Sequence, residues 1–169
     1  RLDLPTQGGP LRIGVTATRE PFNFVDANGR VTGHDGELAY RISVALGRPL
    51  EFSNMRFAAL IPALQAGKID MIVTGMTATE ERAKFVSFSD SYYENAQVML
   101  VRKPGGGSPA KPEADEAIQI RSNDDLAGVR VGALLGSVQD VYVRKQYPTA
   151  EVMQYDNTAD LVMAVEGTR

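Results

Sequence analysis

Leu11, Ile13 and Val15 alternate with Arg12 and Gly14, the two-residue period of a strand. A loop over residues 16–33 follows. In it, Phe24-Val25 and Val31-Thr32 flank Asp26-Ala-Asn-Gly29, whose Asn-Gly pair signals a hairpin turn. Over residues 35–46 the period becomes helical, with Leu38, Ile42, Ala45 and Leu46 on one face. Asp35 can cap the start of this helix, Gly47 ends it and Pro49 bars its continuation. Residues 50–53 read as a strand. Phe57, Leu60, Ile61 and Leu64 then mark a second helix, which carries Pro62 in its first turns, where a missing N–H costs least, and stops at Gly67. The apolar run 69–73 fits a buried parallel strand.

Thr79 can cap a short helix through Glu80-Glu81-Arg82, and residues 96–102 read as another strand. The stretch 104–112, rich in Pro and Gly, is a linker or exposed loop. Lys111 lies between Ala110 and Pro112 rather than in a Gly-Lys-Ser/Thr context, so a phosphate-binding loop of the Walker type is excluded. Beyond it, residues 129–133 form a strand. Ser137 caps a helix reaching about Tyr147, with Asp140 as its capping-box partner. Residues 152–155 form a strand, and Asn157 caps a helix bearing Leu161, Val162 and Val165. Strands alternating with helices predict an α/β fold. The two strands after the linker are fewer than a sheet buried on both faces needs, so the second α/β unit is expected to be cut short.

Composition narrows the chemistry. The 169 residues are 43% hydrophobic and 23% charged, an ordinary globular balance that excludes a disordered tail or a coiled-coil rod. Residues 1–102 hold 11 basic and 11 acidic side chains, and the net charge of −3 arises after them. No basic stripe exists to follow a phosphate backbone, so nucleic acid is not an expected partner. With no Cys and a single His, His34, thiolate chemistry is excluded, and a Ser-His-Asp triad or a His-rich metal site has almost no raw material. No apolar run approaches the ~18 residues of a membrane span. The chain opens on Arg1 rather than Met, as expected of a processed form, so export remains compatible with it.

Several stretches, taken in order, resemble one family. They are Glu20-Pro21-Phe22, Gly33-His-Asp-Gly-Glu-Leu38, Phe57-Ala-Ala-Leu-Ile-Pro-Ala-Leu64, Gly67-Lys-Ile-Asp70, Thr77-Ala-Thr-Glu-Glu-Arg82 and Phe88-Ser-Asp-Ser-Tyr-Tyr93. Asp125-Leu-Ala-Gly128, Val131-Gly132 and Gly136-Ser-Val-Gln139 extend the likeness across nearly the whole chain. The sequence resembles the periplasmic amino-acid-binding proteins of bacterial ABC transporters, solute-binding protein family 3, with the type II periplasmic-binding fold. That resemblance implies two α/β lobes with a ligand clamped between them. Residues 1–102 would form most of lobe one, 103–122 the linker or exposed loop, and 123–169 the first part of a truncated lobe two.

The resemblance also implies the ligand's contacts. Arg82 would grip the α-carboxylate, with two charge-assisted hydrogen bonds available from a guanidinium. Thr77 would offer its hydroxyl and N–H, and Gly75 its carbonyl to the ammonium. Phe57 would pack on the ligand's side chain, although its place beside Leu60, Ile61 and Leu64 assigns it equally to the core. Gly136, Ser137 and Val138 match the family's lobe-two turn, where N–H groups at a helix start favour a carboxylate. Val138 stands where many relatives carry Thr, so a backbone contact survives there and a hydroxyl contact does not. Arg19 replaces a frequent aromatic and would favour an acidic or amide side chain, and Thr16 replaces an acidic residue that some relatives carry. His34 reads as helix-start packing.

The implied function is capture of an amino acid, without catalysis, cofactor or metal. Delivery would be to an inner-membrane ABC permease, separate from the chain or fused to it in the full-length protein. The implied location is periplasmic or extracytoplasmic, membrane-associated in Gram-positive or permease-fused forms, with a signal peptide in the precursor. The fold also serves cyclohexadienyl and arogenate dehydratases and the sensing domains of membrane signalling proteins, and fold alone does not choose among these.

Overall fold

The computed structural model describes residues 6–101 and 122–167. The Pro- and Gly-rich stretch 104–112, the rest of the expected linker up to residue 121, and Arg102 lie outside the described residues. The chain divides into two compact units, Arg1–Glu94 and Asn95–Arg169.

In the first unit, strand β1 (Leu11–Val15) is the middle of a three-stranded parallel sheet. On one side lies β5 (Leu50–Asn54), with Leu11 opposite Leu50 and Val15 opposite Asn54; on the other lies β6 (Met71–Ile72), with Ile13 opposite Met71. The expected strand 69–73 is thus shorter, but the Asp70 N–H still reaches the Arg12 carbonyl and the Val73 N–H that of Gly14. Leu11, Ile13 and Val73 pack with Ala39 of helix α1 (His34–Leu46), whereas Leu60 and Ala63 of α2 (Leu60–Gln65) pack with Ile69 in a separate cluster. Two helices and two clusters explain why Met71, Ile72 and Val73 are all apolar, Met71 and Val73 packing in one cluster and Ile72 in the other.

The expected hairpin is present. β3 (Asn23–Val25) pairs antiparallel with β4 (Val31–Thr32), and β2 (Thr18–Arg19) adds to β3. Asp26 closes the turn, its carboxylate accepting from the N–H groups of Asn28 and Arg30 and from the Arg30 guanidinium. The Arg30 N–H bond is the main reason this carboxyl is held down at about 2.

Three expectations for these helices are corrected. The α1 N-cap is Gly33, not Asp35. The His34 and Asp35 N–H groups donate instead to the carbonyls of Pro21 and Phe22, at 3.1 and 2.8 Å. Gly33 has φ +96°, and a Cβ there would fall 2.5 Å from the Phe22 oxygen, so only glycine fits. The buried face of α1 centres on Ala39 and Ser43 flanked by Leu38 and Ile42, while Ala45 and Leu46 are exposed. Ser43 wins its buried place because its hydroxyl donates to the Arg48 carbonyl. Finally, the helix expected around residues 57–64 begins as a 3-10 turn, Phe57–Ala59, and becomes α-helical only at Leu60.

In the second unit, β7 (Arg130–Leu134) and β8 (Glu151–Tyr155) pair in parallel, in register from Arg130 opposite Glu151 to Leu134 opposite Tyr155. Helix α4 (Val138–Gln146) connects them, and α5 (Thr158–Glu166) lays Leu161 over Gly132 of β7. Ser137 caps α4 by accepting from the Asp140 N–H, and Asn157 caps α5 by accepting from that of Asp160. The box at α4 is only half formed, since the Asp140 carboxylate accepts from the Gly136 N–H rather than that of Ser137. Residues 96–101 form no strand, against expectation. A run of apolar residues makes a strand only where a neighbouring chain supplies the ladder, and Val98 here is 88% exposed. No helix among the described residues is long and apolar enough to cross a membrane.

Candidate functional site

Strands β1, β5 and β6 are parallel, so their carboxyl ends lie at one edge of the sheet. Arg19 follows β1, Phe57 follows β5, and Gly75, Thr77 and Arg82 follow β6. The first unit therefore places five of the eight expected ligand-binding residues on the segments that follow the carboxyl ends of the sheet, where open α/β sheets bind ligands.

Arg82 lies in the four-residue helix α3 (Glu80–Ala83), whose Thr79 cap accepts from the Arg82 N–H at 3.2 Å. Its guanidinium carbon lies 5.4 Å from the centre of the Phe57 ring, and its Nη1 donates to the Thr77 carbonyl at 2.7 Å. Burial pulls the guanidinium below its ordinary value, which for arginine still leaves a full charge near neutral pH. Phe57 takes the place in the core that its neighbours imply. It packs on the Leu60–Ala63–Ile69 cluster and presents its face to Arg82. A cation held over a ring face and tied by one N–H to a carbonyl is pre-oriented, which lowers the entropy lost on gripping an anion.

Thr77 and Gly75 are exposed. The Thr77 hydroxyl and the Gly75 carbonyl have no partner among the described residues. Gly75 has φ +61°, and a Cβ there would meet Arg19 Nη2 at 2.6 Å and Asp35 Oδ2 at 3.8 Å. Arg19 itself lies over Phe22, 5.0 Å from the ring centre. Thr16 is 7% exposed and spends its hydroxyl on the Met55 carbonyl, so it acts in the fold.

Behind Gly75 stands a group that no sequence spacing ties together. Asp35 is 1% exposed and accepts from Asn23 Nδ2 at 2.5 Å, with His34 Nδ1 at 3.3 Å. The Tyr92 hydroxyl accepts from the Gly75 N–H at 3.2 Å and lies close enough to Asp35 to feel its charge. Burial, and then the charge of Asp35, push the Tyr92 phenol above its ordinary value. His34 stacks on Tyr92 and meets Phe22 edge-on, which is the packing expected of it. Tyr92 and Tyr93 belong to the Phe88–Tyr93 motif, yet no spacing links residue 92 with 35 and 75. Only the fold does.

The three remaining expected residues, Gly136, Ser137 and Val138, belong to the second unit. Asp140, 5% exposed, accepts from the Gly136 N–H at 3.2 Å and from Arg144 Nε and Gln154 Nε2, each at 2.8 Å. Burial raises the Asp140 carboxyl, but these bonds from Arg144, Gln154 and Gly136 outweigh it and hold the group below its ordinary value. The Ser137 N–H donates to the Leu134 carbonyl. Among the described residues, the N–H groups of Val138 and Gln139 have no acceptor, so the open donors of this turn start at Val138. No group of three or more His, Asp or Glu among the described residues could hold a metal ion.

Residues 11–165 match the family model of the bacterial extracellular solute-binding proteins, family 3. The chain is 32% identical over 147 residues to ABC transporter arginine-binding protein 1 of Escherichia coli K12, covering 87% of this chain and 55% of that protein. It is also 32% identical to the L-arginine-binding protein of Pseudomonas aeruginosa, over 96% of this chain and 60% of that protein. Among solved structures, an ancestral arginine-binding protein bound to arginine superposes with TM-score 0.81 at 41% identity, over 96% of this chain and 67% of the other. The ancestral amino acid-binding protein AncCDT-1, a precursor of cyclohexadienyl dehydratase, does so with TM-score 0.81 at 37% identity, over 95% and 68%. The chain thus spans little more than half the length of these two curated relatives.

Proposed function

We propose that this chain, which belongs to family 3 of the bacterial extracellular solute-binding proteins, captures an amino acid outside the cytoplasm for an inner-membrane ABC permease. Arg82 carries the proposal. Its guanidinium is fixed over Phe57 and tied to the Thr77 carbonyl at the carboxyl end of the sheet, a placement suited to an α-carboxylate. Thr77 adds its hydroxyl and N–H, and Gly75 its carbonyl for the ammonium. Phe57 holds the guanidinium and borders the ligand. In the second unit, the open Val138 N–H at the start of α4 suits an anion, while Gly136 and Ser137 shape that turn. The ligand leaves unchanged, so no residue is assigned a catalytic role.

Arg19 and the names of the relatives point to different side chains. The Arg19 guanidinium at Gly75 favours an acidic or amide side chain, and Asp35, also within 4 Å of that point, offsets part of its charge. We place neutral and anionic polar amino acids first on this ground. Arginine is the second reading, favoured by relatives named for binding it.

A thermal-shift and calorimetric screen of the twenty amino acids tests both. Saturating ligand at 100 times Kd adds about 2.7 kcal/mol of stability. Arg82→Ala removes charge-assisted bonds worth about 1.5–3 kcal/mol each, so Kd should rise at least tenfold. Tight arginine binding with no response to glutamine or glutamate would reverse the order of ligands. No binding by any amino acid, together with turnover of prephenate, would replace transport with the dehydratase reading.

A further inference from the structure

The Tyr92 hydroxyl stands where three parts of the first unit meet. It accepts from the Gly75 N–H at 3.2 Å, in the loop after β6. It stands beside Asp35, in the first turn of α1, whose charge acts on it. Its own chain continues through Tyr93, which meets Phe22 edge-on with ring centres 4.9 Å apart, to Glu94, the last residue of the unit. Asp35 is in turn fixed by Asn23 and His34. As a whole residue Tyr92 is 45% exposed, but its ring stacks on His34 and its hydroxyl is directed at Gly75 and Asp35.

We infer that Tyr92 is a positioning residue for the ligand's ammonium, acting through Gly75. Its bond to the Gly75 N–H sets the plane of the Thr74–Gly75 peptide. With Gly75 held at φ +61°, that plane fixes where the Gly75 carbonyl carbon lies, and so the place from which its oxygen reaches the ammonium. Tyr92 itself touches no ligand. The inference rests on the proposed role of the Gly75 carbonyl, and it adds that the place of that carbonyl is set by a side chain seventeen residues further along the chain. Asp35, anchored by Asn23, stands beside the hydroxyl and raises its phenol pKa.

Tyr92→Phe is the test, because it keeps the ring and its stacking and removes only the oxygen. The ligand is the tightest amino acid from the screen, and the control is the same molecule lacking its α-amino group. The variant should weaken the amino acid about fivefold and leave the deaminated acid within twofold, since only the first uses the Gly75 carbonyl. In ligand-free protein, the Gly75 amide should exchange its hydrogen at least threefold faster in the variant. Equal weakening of both ligands, or no weakening of either, overturns the inference while leaving amino-acid binding intact. If the unaltered protein binds no amino acid, the functional reading itself fails and the ammonium role fails with it. Unchanged Gly75 exchange overturns the positioning claim whatever the binding result.

Discussion

Asp140→Ala removes one buried carboxylate that ties three elements of the second unit together. The turn after β7 supplies the Gly136 N–H at 3.2 Å, α4 supplies Arg144 Nε at 2.8 Å, and β8 supplies Gln154 Nε2 at 2.8 Å. A hydrogen bond contributes about 0.5–1.5 kcal/mol net, and one to a charged group about 1.5–3. All three donor residues are exposed and regain water once the carboxylate is gone, which puts each bond at about 1 kcal/mol, below the charged range. The expected loss is about 2–3 kcal/mol in total. With a urea slope of about 1–3 kcal/mol per molar, the midpoint of the second unit should fall by about 1–3 M. Urea unfolding followed by circular dichroism, with hydrogen exchange of the β7 amides to localise the loss, measures this. The Asp140→Asn variant adds a pH arm. Because the folded carboxyl is held below its ordinary value of 3.8, its contribution is present in full above that value and is lost as pH falls through the folded one. The gap between the protein and Asp140→Asn should therefore narrow below pH 3.8. A midpoint shift under about 0.3 M, or a gap that widens on acidification, would refute the reasoning.

Two glycine substitutions should separate backbone from side-chain obstruction. Gly33→Ala puts a Cβ 2.5 and 2.6 Å from the Phe22 and Pro21 oxygens that also receive the α1 N–H groups, so it should cost about 3 kcal/mol or more. Gly75→Ala meets only the movable end of Arg19 and should cost the ~1–2 kcal/mol of a left-handed alanine; equal urea midpoints for the two would contradict this. The Asp26 turn should weaken in acid. With its carboxyl at about 2 against an ordinary 3.8, its contribution is whole above 3.8 and fades towards pH 2, and an Asp26→Asn titration should lose that feature.

Most elements of this protein are legible in one dimension because their causes are local. Alternation at Leu11, Ile13 and Val15 marks β1, Asn28-Gly29 marks the hairpin, and Thr79, Ser137 and Asn157 mark three helix starts through bonds that reach only three residues. The motifs that carry the family likeness already named Arg82, Thr77 and Gly75, and the parallel order of β5, β1 and β6 sets them on one edge of the sheet.

What the tertiary structure alone decided are the contacts between residues far apart in sequence. Asp35 looks like a helix cap, but the Pro21–Phe22 carbonyls take that role and release the carboxylate to Asn23 and His34. Ala45 and Leu46 have helical spacing yet face solvent, because the sheet meets α1 at Ala39. Residues 96–101 are apolar at all but Gln97, read as a strand and form none, since a ladder needs a partner that local pattern cannot provide. Helical and strand periods reflect forces acting over a few residues, whereas the choice of cap, buried face and ladder depends on which distant segment arrives beside them.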